Sequence, residues 1–349
     1  MLLYLHIPYC DSKCHYCSFN SYTHKHNTQN KYMQSICIQL QYELERFKPS
    51  HGDIKTVFIG GGTPSTIDPS YYQDFFSIIK PYIDPNAEIT AEANPNSATT
   101  LWMKGMKALG VNRLSFGVQS FDDAKLHNLG RAHDKIQAIN AIKNAHAIGF
   151  EHISLDLIYN AKDDTKELFC KDIDIAFSLP IDHISTYELT IEDGTKFTDK
   201  DRQTNDSLAF FIAEEITKRG FEHYEISNFG RYQSKHNKGY WELKNYIGIG
   251  AGAVGFLNDT RLYPLMDIDG YIANPLDIKE ERLGSQEILT EKIFLGLRSS
   301  IGIAKSLLNK SIRNKADFLV KEEKLTQTDT HYYNPNFFLS DEIALYLMP

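Results

Sequence analysis

The chain has 349 residues, which at about 100–200 residues per domain suggests one large domain, or one with a small appendage. With 42% hydrophobic, 12% aromatic and 23% charged residues it can bury a sizeable core, which excludes disorder as the overall state. Lys+Arg 37 against Asp+Glu 45 gives a net charge of -8, a poor balance for a general nucleic-acid binder. No apolar run approaches the ~20 residues of a membrane-spanning helix. The opening Met1–Pro8 lacks the basic start of a signal peptide, so a soluble, cytoplasmic protein is expected.

In chain order, Leu2–Ile7 reads as a first strand, followed by a loop holding Cys10, Cys14 and Cys17. Asn30–Phe47 has helical spacing, and Thr56–Ile59 reads as a buried strand running into Gly60-Gly61-Gly62-Thr63-Pro64. Tyr71–Ile83 is predicted as a helix, Glu88–Glu92 as a third strand and Thr99–Leu109 as a helix capped by Gly110. Strands are further predicted at Arg113–Val118, His152–Tyr159 and His183–Leu189, with helices at Lys135–Ile148 and Lys166–Ser178. Strands alternating with helices imply a parallel sheet with right-handed crossovers. Six such units suggest an α/β partial (β/α)6 barrel, with an open doubly wound sheet as the other solution. Beyond residue 195 the alternation stops. Residues 196–280 are expected to extend the barrel, and residues 281–349 to form a small mixed accessory domain with helices at Gln286–Arg298 and Lys305–Lys324.

Three of the five cysteines fall in Cys10-x3-Cys14-x2-Cys17, and an odd count in a chain expected to be cytosolic favours a metal site or redox motif over a disulfide framework. Three thiolates on one loop leave one iron of a cluster without a protein ligand, as a reactive centre requires. A zinc knuckle completed by His6 or His15 is the alternative. Cys37 and Cys170 are expected to be buried and inert. Ligands of parallel α/β folds sit at the carboxyl ends of strands. There the sequence places the cysteine loop, the three glycines, Glu92, Gln119, Arg131 and Asp156. The glycines are expected to offer bare amides to a ligand.

The cysteine motif, preceded by Tyr4-Leu5-His6-Ile7-Pro8-Tyr9, resembles the opening of radical S-adenosylmethionine (SAM) proteins, specifically the oxygen-independent coproporphyrinogen III oxidase family. The resemblance continues through Gly60–Ser65, Ser115–Ser120, Leu129-Gly130-Arg131, Asp156–Tyr159, Tyr187–Thr195, Gly248–Ala253 and Leu295–Arg298. It implies a [4Fe-4S] cluster on Cys10, Cys14 and Cys17, with SAM chelating the fourth iron and cleaved by an electron from the cluster. It also implies that Tyr4, Tyr16, Gly61, Gly62, Thr63, Glu92, Gln119, Arg131 and Asp156 form the SAM pocket. Two features resemble the haem-chaperone branch of the family rather than its oxidases. Phe19 stands where the oxidases carry a fourth cysteine, and nine residues precede Cys10. His236-Asn237-x2-Tyr240-Trp241 fits the signature of that branch, so the resemblance implies haem as cargo, with His236, Tyr240 and Trp241 as its contacts. Implied partners are acceptor haemoproteins, including respiratory and membrane-bound ones, and an electron donor, but no nucleic acid; the protein itself is expected to be cytoplasmic or peripheral to the inner membrane face. Oxidative decarboxylation of coproporphyrinogen III is the alternative activity. Two positions depart from the family pattern: Asn160-Ala161-Lys162 replaces Gly-Leu-Pro, and Val254 replaces a histidine.

Overall fold

The computed structural model describes residues 1–348. The first half repeats a strand-then-helix unit: β1 (Leu2–Ile7), α1 (Gln29–Phe47), β2 (Ile54–Gly61), α2 (Gln73–Ile79), β3 (Ile83–Ala93), α3 (Thr100–Ala108) and β4 (Arg113–Gln119). It continues with α4 (Asp123–Asn128), α5 (Lys135–Ile148), β5 (His152–Tyr159), α6 (Lys166–Phe177) and β6 (His183–Glu188). Caps set the helix ends. Asp134 and Gln137 form a reciprocal capping box at the start of α5, and Gly149 closes it at φ 95°. Tyr71–Ile83 is not one helix: Pro69 and Pro81 confine α2 to seven residues between 3-10 turns, and Ile83 already belongs to β3.

The second half adds α7 (Asp206–Lys218), β7 (Glu222–Glu225), β8 (Asn228–Gly230), α8 (Lys235–Trp241), β9 (Tyr246–Ile249), β10 (Gly255–Leu257), β11 (Thr260–Pro264), α9 (Ile268–Ala273) and β12 (Ile278–Arg282). These strands do not form a separate sheet. They join both sides of the first half in one twelve-stranded order, β12-β11-β10-β9-β1-β2-β3-β4-β5-β6-β8-β7. Seven strands from β9 to β6 are parallel, which gives the partial barrel expected of six units one further parallel strand. The remainder comprises α10 (Ser285–Leu297), β13 (Ile303–Ala304), α11 (Lys310–Lys321), β14 (Thr326–Gln327), β15 (His331–Tyr333) and α12 (Ser340–Leu347). It packs around its own apolar cluster, centred on Leu297, Ala316, Ala344 and Leu347. No described helix is long and apolar enough to cross a membrane.

Side chains alternate across each strand. One face of the sheet is apolar and packs on the helices through Leu3, Leu5, Val57, Ile59, Ile89 and Leu114. The other face is polar: Thr56, Glu88, Thr90, Glu92, Arg113, Ser115, Ser154, Asp156 and Ser185 line the inside of the barrel. Helix α8 closes the end of this interior near the strand starts. Its first-turn amides, those of Lys235 and His236, donate to the buried Glu88 carboxylate at 2.9 and 3.0 Å, the charge preferred at a helix amino terminus. The strand carboxyl ends stay open, and there the cavity lies.

Candidate functional site

The cysteine loop is clipped at its base. Tyr9 bridges Tyr22, and the Cys10 amide donates to the Tyr22 carbonyl at 3.1 Å. Cys10 is buried, with its Sγ 3.3 Å from Thr63 Oγ1, while Cys14 and Cys17 are half-buried. The segment after β4 buttresses the loop: the His15 amide donates to the Leu129 carbonyl and its ring bonds the Asn128 carbonyl. Arg131 Nη1 donates to Cys14 Sγ at 3.1 Å and Nη2 to Asn94 Oδ1 at 2.6 Å. Burial pushes the Cys10 and Cys17 thiols up, so they keep their protons in the free protein, and a metal that binds them displaces those protons.

A cavity of about 860 Å³ opens beside the three thiols. Of the residues implied by the resemblance, Tyr16, Gly61, Gly62, Thr63, Glu92, Gln119, Arg131 and Asp156 all line it. Tyr4 is not brought to it. Its hydroxyl sits 2.9 Å from His6 Nδ1, inside the barrel. The glycine turn also differs from expectation, because its amides are not bare. Gly61 N–H donates to Glu92, Gly62 N–H to the Ile7 carbonyl and Thr63 N–H to the Tyr9 carbonyl. The turn therefore ties the cysteine loop to the sheet, and the missing side chains let the two backbones meet.

Glu92 and Asp156 face the cavity without a lysine or arginine bonded to either. Burial, then repulsion from Asp156, pushes Glu92 up to about 7, against the Gly61 amide and the Arg113 charge. Burial pushes Asp156 up to about 6, opposed by a hydrogen bond from Ser185 and by Arg113 and Arg131. Gln119 ends β4 at φ 70°, a left-handed conformation a side chain rarely adopts. Its Oε1, Arg131 Nε and Asn160 Oδ1 are buried at the cavity without a protein partner. A cavity holding three free thiols, two carboxylates and unpartnered buried amide and guanidinium atoms suits an iron–sulfur cluster with a zwitterionic, ribose-bearing ligand. It does not suit the zinc knuckle. His6 spends both ring nitrogens on Tyr4 and Asn20. Among the described residues no three His, Cys, Asp or Glu groups are placed to hold a single metal ion.

Sequence reasoning missed Asn94 and Asn160, which line the cavity. Asn94 lies two residues past Glu92, and Asn160 directly follows β5 at φ 61°. An asparagine just beyond a strand was the available signal. Cys37 and Cys170 are half-buried rather than buried, since each sits on the margin of a helix face. His236, Tyr240 and Trp241 are not at the cavity. His236 is 1% exposed, its Nδ1 lies 2.7 Å from Thr56 Oγ1, and burial pushes its pKa down to about 3. Its Nε2 has no partner. In this conformation His236 belongs to the barrel floor, while Tyr240 and Trp241 are half-buried.

Comparison with known proteins agrees with this geometry. Residues 4–174 match the Radical SAM superfamily, so this stretch, with its fold and cysteine loop, is a radical SAM domain. The chain is 34% identical to the heme chaperone HemW of Lactococcus lactis, over 86% of this chain and 82% of the relative. It is 32% identical to HemW of Haemophilus influenzae, over 99% and 97%. The chain belongs to the HemW family. Its fold matches coproporphyrinogen III oxidase (HemN) from Escherichia coli with a TM-score of 0.83 at 18% identity, covering 99% of this chain and 89% of that one.

Proposed function

We propose that this protein is a haem chaperone that holds a [4Fe-4S] cluster and SAM and passes haem to acceptor haemoproteins. The observation that carries the reading is likeness over most of the chain to relatives named heme chaperones. It is supported by a cavity whose donors suit the cofactors of the superfamily. Cys10, Cys14 and Cys17 would hold the cluster, and the remaining iron would face the cavity. When bound, cluster and SAM supply one-electron chemistry. The protein's own groups orient the ligand: Arg131 offers a guanidinium fork for its carboxylate, and Glu92 and Asp156 offer acceptors for its amine and ribose hydroxyls. Tyr16 and Gln119 complete the walls.

Phe19, at the place of the oxidases' fourth cysteine, is 65% exposed at the cavity rim. An apolar ring there cannot supply the thiolate that the oxidases carry, which favours the chaperone over the oxidase. The test is incubation of reconstituted protein with coproporphyrinogen, SAM and reductant. Haem transfer to an apo-haemoprotein without decarboxylation is expected, and decarboxylated product would select the oxidase.

For haem iron, His236 Nε2 is one of three buried imidazole nitrogens without a partner among the described residues, beside His133 Nδ1 and His223 Nε2, and it alone stands in a motif with Tyr240 and Trp241. Because it is buried, ligation requires α8 to leave the barrel floor. His236→Ala should then shift the Soret band, and haem should raise hydrogen exchange across Lys235–Trp241. A wild-type spectrum in the variant would leave His236 a floor residue only.

A further inference from the structure

Arg113 opens β4 and points into the barrel beneath the cavity, on the same face as Ser115 and Gly117 two and four residues on. It is 2% exposed, and its Nε has no hydrogen-bond partner. Opposite it on β3 stands Thr90, whose hydroxyl is likewise buried and unpartnered. Glu92 is the next inward residue on β3 above Thr90, and Asp156 faces the same interior from β5. A buried cation with an unmet donor and buried carboxylates without a bonded cation are each costly alone. Inside one barrel each relieves the other.

We propose that Arg113 is a positioning residue for the cavity's ligand: from beneath, it is the fixed countercharge that favours the carboxylate forms of Glu92 and Asp156, which accept from the ligand's amine N–H and ribose hydroxyls. The inference rests on reading the cavity as a SAM site. The groups facing Arg113 are compatible with this role. Glu88 on β3 is already held by the amides of α8. His183 on β6 and His236 on α8 are pushed down by burial and then by Arg113, so they stay neutral and leave its charge unshared. Tyr224 on β7 and Tyr232 before α8 are pushed up by burial and stay protonated. Around the carboxylates, Tyr4 and Tyr187 are also neutral, and Arg131 is engaged with Cys14, Asn94 and Gly117. Arg113 is thus the cation left to serve Glu92 and Asp156 from below.

The test is SAM binding by equilibrium dialysis on the reconstituted protein from pH 6 to 9, for wild type, Arg113→Lys and Arg113→Gln. An opposite charge nearby lowers a carboxyl pKa by about 1–3 units. Arg113→Gln should therefore move the pH of half-maximal binding up by about one unit or more, with binding about tenfold weaker at pH 7 and recovery at pH 9. Arg113→Lys keeps the charge and should keep the wild-type midpoint. An unmoved midpoint in Arg113→Gln, or an equal shift in Arg113→Lys, would overturn the proposal. Should Arg113→Gln fail to fold, adding Glu92→Gln and Asp156→Asn should restore folding, because the stranded anions are the fault. If it does not, the guanidinium is structural and the proposal falls. Wild type that binds no SAM at any pH would refute the cavity assignment itself, a result distinct from all of these.

Discussion

Replacing Gly62 by alanine probes how the cysteine loop is fixed. A Cβ at this position would lie 2.7 Å from the Tyr9 carbonyl oxygen, 2.9 Å from that of Ile7 and 3.0 Å from the Tyr9 amide nitrogen. All three are backbone atoms, and none can swing aside as a side chain would. The same stretch carries the 2.7 Å bonds from Gly62 N–H to Ile7 and from Thr63 N–H to Tyr9. Overpacking costs about 1–3 kcal/mol, and losing one of the two bonds adds about 1 kcal/mol. The expected destabilisation is therefore about 2–4 kcal/mol, read as a lower urea midpoint at unchanged slope. Cys10 follows Tyr9 directly, so iron and sulfide content after anaerobic reconstitution should fall as well. Gly52→Ala is the control: its Cβ meets nothing within 4 Å, and only its φ of 76° is penalised, at about 1 kcal/mol. Wild-type midpoint and full iron in Gly62→Ala would refute the claim that this backbone contact places the loop.

Replacing Cys10, Cys14 and Cys17 together by alanine should abolish iron and sulfide binding, whereas Cys37→Ala and Cys170→Ala should leave both unchanged in the same colorimetric assay. Arg131→Gln loses the fork on Cys14 and Asn94; SAM binding by calorimetry should weaken at least about tenfold, the loss of one charge-assisted bond. Thr56→Val removes the buried partner of His236 Nδ1, and urea denaturation should show about 1–3 kcal/mol lost with cluster content intact. For pH, Glu43, Glu92 and Glu225 are pushed up to about 7, 7 and 8, mainly by burial. The fold holds their protons longer than the unfolded chain does, so their contribution is full at low pH and is lost as pH rises through these values. The buried histidines 6, 133, 183, 223 and 236 are pushed down and oppose this trend, but only below about pH 6.5. The melting temperature of the apoprotein should therefore fall from pH 6.5 to 8.5, and a rise over that range would contradict the assignment.

The strand-then-helix order, the cysteine loop and eight residues that line the cavity beside it were legible because each is written locally. Hydrophobic runs, caps such as Asp134 and Gly149, and short motifs depend on neighbours within a few positions. Helix α4 was missed because its six residues span fewer than two turns and show no period. What only the tertiary structure decided involves partners far apart in the chain. Strands β9 and β8 join opposite ends of the sheet, pairing with β1 and β6. Tyr4 turns beneath the site to support His6. The glycine amides are spent on Ile7, Tyr9 and Glu92. His236, in a motif that looks exposed and ligand-ready in sequence, is sealed against Thr56 and Phe58. Arg113 reads as an ordinary strand residue until the barrel closes around it, because a charge acquires its meaning from what is buried with it, and burial is a property of the whole fold.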